Sequence, residues 1–227
     1  MALSRGPKIV TSGLVLALDA ADRNSYPGSG TTWYDISGNN YTGTLTNGPT
    51  FSGANKGSIV FDGANDYIDL TSTSVSISGN AARSVFCWMK TTYTGLLCFI
   101  GLGTAANSQA FNLVKYSSNV GVMGYNDDYY PNSGNAGVTL TDGRWHYIGA
   151  VFDGVNTLKT YADGKLDNTS GAITYSTTGQ NNYIGRSNHT GNENFMNGSM
   201  SSVNIYNRAL TASEVLQNYN ATKTRFG

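Results

Sequence analysis

The sequence predicts an all-β sandwich or barrel with one short C-terminal helix, and three observations carry that reading. First, the stretch from Thr141 to Leu166 holds three Asp-Gly pairs, at 142–143, 153–154 and 163–164. They flank runs rich in aromatic and β-branched residues. Asp-Gly marks a tight turn, because Gly accepts positive φ and Asp bonds its own backbone. Second, charged residues make up only 12% of the chain, and 28 glycines stand against four prolines. Polarity therefore comes from Asn, Ser, Thr, Tyr and Gly, which suits many strands joined by turns. Third, turn signals recur at a spacing of roughly 8–12 residues, as in a sandwich or barrel.

The elements follow in order. Residues 1–12 show little pattern and read as an arm, and 13–227 as a single domain. Gly13 to Asp19 is a first strand. A turn-rich segment follows from Asp22 to Gly43 and contains Trp33 and Tyr34. Gly57 to Leu70 reads as strand, turn, strand, and its VFDGAN recurs as VFDGVN at 151–156, the same turn solution used twice. Arg83 to Lys90 and Leu96 to Leu102 are nearly continuous apolar runs, as in central strands covered on both faces. Further strands are expected at 110–115, 120–125, 137–140, 144–152, 157–162, 171–175, 182–185 and 200–206. Thr211-Ala-Ser-Glu214 has capping-box form, with Val215, Leu216 and Tyr219 at helical spacing through about Asn220. So short a helix must dock on the sandwich to persist.

Composition excludes several functions. Formal net charge is zero with no basic stripe, which argues against nucleic acid as a partner. No apolar run is long enough to insert in a membrane as a helix. The apolar run from Gly13 to Leu18 is too short, and too close to acids, for a signal peptide. The expectation is synthesis in a cytosol, with a mature fragment of an exported protein as the competing reading. Cys87 and Cys98 lie in consecutive apolar strands around a turn at 91–95, and a symmetric hairpin would set them opposite each other. Two buried free thiols and a cross-strand disulfide both fit that placement. Two Cys and two scattered His give no zinc spacing.

Several segments resemble one superfamily. They are Trp33-Tyr-Asp-Ile-Ser-Gly38, Phe61-Asp-Gly-Ala-Asn-Asp-Tyr67, Ser84 to Lys90, Arg144 to Gly154, Tyr161-Ala-Asp-Gly-Lys165 and Asn197 to Glu214. In this order they look like the laminin-G-like branch of the concanavalin A-like lectin/glucanase superfamily, including its pentraxin-type members. The resemblance implies a two-sheet antiparallel jelly-roll sandwich with one concave sheet. Where many relatives carry acidic residues, which in some of them help hold a structural calcium, this chain has Ser201 and Ser202. Gly13 to Leu45 also resembles laminin-G-like domains in structural proteins of tailed phages. That implies a virion component made in the host cytoplasm, present in multiple copies, with other virion proteins or glycans as partners. A carbohydrate-binding module of a cellular or secreted protein is the alternative, with an extracellular location, and a glycosidase of the same superfamily is the second alternative.

Catalysis has little to stand on. Most glycosidases need two carboxylates about 5–9.5 Å apart. The chain has only two glutamates, Glu193 and Glu214, and Glu214 is claimed by the helix cap. The expected protein is not an enzyme and requires no cofactor. His146, mid-strand between Trp145 and Tyr147, reads as a packed or hydrogen-bonded strand residue. The functional expectation falls on the loops. Tyr125, Asn126, Asp127, Asp128, Tyr129 and Tyr130 form the richest polar and aromatic cluster. Asp127 and Asp128 offer oxygen ligands that suit Ca2+, and the tyrosines offer faces on which a sugar stacks. Trp33, Tyr34, His189 and Asn192 complete the candidate ligand contacts.

Overall fold

The computed structural model describes residues 7–70, 75, 77–134, 136–178, 181–189, 191 and 193–226. Two antiparallel sheets face each other. The eight-stranded sheet contains β1 (Leu14–Asp19), β4 (Thr50–Ser52), β5 (Ser58–Asp62), β7 (Arg83–Lys90), β11 (Trp145–Phe152), β12 (Leu158–Ala162), β13 (Lys165–Thr169) and β15 (Asn197–Tyr206). Its order is β13-β12-β11-β7-β15-β5-β4, and β1 pairs with the second half of β15. The seven-stranded sheet contains β2 (Thr32–Tyr34), β3 (Thr42–Thr46), β6 (Tyr67–Asp69), β8 (Leu97–Gly103), β9 (Ala110–Tyr116), β10 (Asn119–Met123) and β14 (Tyr183–Ile184). It runs β10-β9-β8-β14-β6-β3-β2. This is the all-β jelly-roll sandwich that the resemblance implied. No helix among the described residues is long and apolar enough to cross a membrane.

The alternation of side chains along each strand builds two apolar layers. Val85, Cys87 and Met89 of β7 face the space between the sheets, with Phe99, Phe111, Leu113, Ile148 and Val203. Phe86 and Trp88 face the other way, into a second cluster with Tyr147, Tyr161, Tyr206 and Val215. That outer layer exists because α1 (Ala212–Thr222) lies on it. The capping box forms as expected: Thr211 Oγ1 accepts from the Glu214 amide, and the Glu214 carboxylate accepts from the Thr211 amide. The segment before β1 runs along the same helix. The Val10 amide donates to Asn218 Oδ1 at 2.7 Å and Tyr206 Oη donates to the Val10 carbonyl at 3.0 Å.

The repeated VFDGxN motif is one turn used twice. Asp62 accepts the amides of Ala64 and Asn65, and Asp153 those of Val155, Asn156 and Thr157.

Three sequence expectations need correction. β7 and β8 do not form a hairpin, because the connection crosses from one sheet to the other. Cys87 therefore faces the central core, whereas Cys98 packs with Val114 and Met123 on the outer face of the second sheet. Both thiols are free, and burial raises the pKa of each, so neither ionises readily. Residues 137–140 and 171–175 are not strands. Their apolar members, among them Leu140 and Tyr175, are buried, but no neighbouring strand takes their backbone. Tyr175 instead donates its amide to Asn80 Oδ1, and Ile173 to the Asn156 carbonyl.

Candidate functional site

The two loops singled out by sequence meet on the outer face of the seven-stranded sheet. The first closes β10 back on itself. Tyr129 and Val122 exchange both backbone hydrogen bonds, at 2.7 and 3.0 Å. Between them, Asp128 Oδ1 accepts the amides of Gly124 and Tyr125 at 2.7 and 3.1 Å. Tyr125 and Asn126 both sit in the left-handed region, with φ of 62° and 77°. That conformation is uncommon for a bulky residue and is held by the surrounding bonds. It sets the Tyr125 ring against His189 of the second loop, with centroids 4.5 Å apart and planes 23° from parallel.

The second loop follows β14 and lies directly on the sheet. A Cβ at Gly101 of β8 would stand 2.5 Å from Asn188 Oδ1 and 2.8 Å from the Arg186 carbonyl, so only glycine admits this approach. Asn188 donates to the carbonyls of Gly103 and Asn181. Arg186 stacks over Tyr183, Tyr67 and Phe195, at 4.5, 5.0 and 5.7 Å from the ring centroids. The result is a surface of aromatic faces interleaved with imidazole, guanidinium and amide groups. Such a combination can stack a sugar ring and hydrogen-bond its hydroxyls. Among the described residues, the buried His189 Nδ1 atom has no hydrogen-bond partner.

Asn126 is exposed at the loop tip. Asp127 is engaged by the Ser108 hydroxyl, and Asp128 by the turn amides. Among the described residues no group of three His, Cys, Asp or Glu is placed to hold a metal. Tyr130 stacks on Tyr116 at 4.5 Å, and Tyr129 packs against the core, so both support the loop from beneath. Burial, with Asp128 nearby, pushes the Tyr130 phenol well above its ordinary value. Trp33 cannot contact a ligand. It points inward from β2 and has no exposed surface, because the alternation that exposes Tyr34 buries its neighbour. Tyr34 is 45% exposed but stands on the edge strand opposite β10, away from the Tyr125 loop. Asn192 lies outside the described residues.

Sequence reasoning passed over one cluster. His146 is buried, and both ring nitrogens meet carboxylates: Nδ1 lies 2.9 Å from Asp163 Oδ2 and Nε2 lies 3.0 Å from Asp142 Oδ1. Two carboxylate contacts require two N–H donors, which only the imidazolium has. Burial works against that charge, but the bonds from Asp163 and Asp142 more than reverse it and leave the pKa raised. The three residues line a cleft of about 620 Å3 at the start of β11. The two Asp-Gly turns were visible in the sequence; their convergence on one histidine was not.

A family model described as the concanavalin A-like lectin/glucanases superfamily matches residues 62–216, more than half of the chain. The chain belongs to this superfamily. A comparison with curated proteins finds no match. Among solved structures, the superfamily domain is similar to domain 4 of an extracellular arabinanase from Geobacillus stearothermophilus, solved in complex with arabinotriose. The TM-score is 0.64 at 19% identity, over 92% of this chain and 98% of that one. It is also similar to the binding domain of botulinum neurotoxin serotype D, with a TM-score of 0.65 and 13% identity. The binding domain of Paraclostridial Mosquitocidal Protein 1 follows at 0.61 and 14%. In both of these the chain covers 92% of itself and 52% of the other, so it spans about half their length. At these identities the likeness is one of fold.

Proposed function

We infer that this superfamily domain is a non-catalytic adhesion module that binds glycans through the outer face of its seven-stranded sheet. The observation that carries the reading is the Tyr125–His189 stack, held by a strained loop beside the aromatic cradle of Arg186. Pre-organised aromatic and polar groups of this kind lower the ordering cost of binding. A non-catalytic role fits the engagement of both glutamates in local structure. Glu193 accepts the Gly191 amide and lies 3.9 Å from Arg186, and Glu214 is held by Arg208 and the helix cap. The similarity to an arabinanase domain solved with arabinotriose makes arabino-oligosaccharides the first ligands to try.

The test is a glycan array that includes arabino-oligosaccharides, probed with the wild type and with Tyr125→Ala and His189→Ala. Binding by the wild type that falls in both variants, with melting temperatures unchanged, is the expected result. Binding unaffected by both substitutions would remove this surface from the account. The finer placement, on a phage particle, rests on the resemblance of residues 13–45 to tailed-phage structural proteins. It predicts the chain in mass spectra of purified particles, and its absence there would leave an extracellular module as the setting.

A further inference from the structure

The cleft beside His146 lies against the eight-stranded sheet, apart from the Tyr125–His189 surface. Its volume, about 620 Å3, is within the range of small-molecule sites. A smaller pocket of about 290 Å3, lined by polar residues such as Thr91 and Ser199, shares Lys90 and Gly143 with it.

The charges in the cleft are unevenly committed. Asp142 and Asp163 both turn an oxygen to His146, so their negative charge is partly compensated from within the wall. Arg144 reaches Asp142 only at 3.8 Å, and its side chain is 84% exposed. Lys90 forms no ion pair among the described residues, and its ammonium stands 5.9 Å over the Trp145 ring. With His146 as imidazolium, three cations face two carboxylates. Trp145 itself is half-buried and fixed: its Nε1 donates to Asn55 Oδ1 at 3.1 Å and its ring packs on Phe226 at 4.9 Å. An indole face held rigidly beside two available cations suits a sugar ring that carries a carboxylate.

We propose that this cleft is a second binding site, for a saccharide bearing a carboxylate such as a uronate. The ring stacks on Trp145, and Lys90 and Arg144 take the carboxylate. The site is on the other sheet from the Tyr125–His189 surface, so either can fail without the other.

Tryptophan fluorescence reads this site selectively. Trp33 and Trp88 are buried, at 0% and 2% exposure, which leaves Trp145 as the accessible indole. The full chain is titrated with tetragalacturonate and, separately, with neutral galactotetraose. Tetragalacturonate is expected to shift the emission and to bind at least about tenfold more tightly than the neutral sugar, since the charge-assisted bonds are missing in the latter. Lys90→Gln and Arg144→Gln are each expected to weaken binding by about tenfold, with melting temperatures unchanged. No response to tetragalacturonate, equal affinity for the two sugars, or full binding by the double variant overturns the proposal.

Discussion

Glu214 shows how much one carboxylate does here. Arg208 donates to both its oxygens, at 2.9 and 2.7 Å, and the Thr211 amide donates at 2.9 Å. Arg208 in turn bonds the Ser12 carbonyl, so the ion pair ties the helix start to the chain just before β1. The bond from Arg208 is the main reason that the Glu214 pKa falls from 4.5 to about 2. The folded pKa is depressed, so this stabilisation is fully present above the unfolded value. It is lost as pH falls from about 4.5 through about 2. Glu214→Gln keeps the shape but removes the charge, and is expected to cost about 1 kcal/mol at neutral pH. Urea melts at pH 7 and pH 3 check this: the gap between wild type and variant should narrow at the lower pH. A gap that stays constant would mean the charge of Glu214 contributes nothing.

At the scale of elements, the most legible pieces were those with strong local chemistry. The capping box fixed the start of α1, and the Asp-Gly pairs fixed the ends of β11 and β12. What stayed hidden was pairing. The 91–95 connection has the composition of a hairpin turn, yet it carries the chain from one sheet to the other. Residues 137–140 and 171–175 carry apolar residues because they cover the sandwich, not because they join a sheet. The Tyr125 and Ser187 loops were legible as polar and aromatic, but their stacking depends on how β10 and β14 are placed. The His146 cleft was legible only as separate turns. Register also creates constraints that no local pattern displays. Gly149 of β11 sits opposite Phe86 of β7, whose ring lies flat on Tyr147 at 5.2 Å. A Cβ at Gly149 would stand 2.1 Å from the Phe86 ring. Gly149→Ala is therefore expected to destabilise by about 1–3 kcal/mol through overpacking, although alanine suits a strand better than glycine. Thermal unfolding with near-ultraviolet circular dichroism checks this, and a variant as stable as wild type would show that Phe86 has room to move.

For the whole molecule, the outer face of the eight-stranded sheet depends on both ends of the described chain. Residues 8–12 lie along α1, and the C-terminal turn beyond it covers what the helix leaves open. Trp88 shows the arrangement. Its Nε1 donates to Thr222 Oγ1 at 2.7 Å, its ring stacks near Tyr219 at 5.7 Å, and Phe226 lies 4.2 Å away. Arg225 anchors the turn with two bonds of 2.7 Å to the Asp19 carboxylate at the end of β1. A strand from the start of the sequence is thus clamped to a turn from its end, across a sheet whose central strands come from the middle. Ending the chain at Thr222 removes the Phe226 ring and the Arg225 anchor but leaves the helix intact. Burial of one partly covered aromatic ring predicts a loss of about 2 kcal/mol. The sandwich should persist, because its main core between the sheets is untouched. Two signals separate this outcome from general unfolding: far-ultraviolet circular dichroism should be unchanged, while tryptophan emission moves to longer wavelength as water reaches Trp88 and Trp145, both of which lose the Phe226 ring. If the shortened chain kept wild-type emission and stability, the C-terminal turn would be a passive tail, and the outer layer would rest on α1 alone.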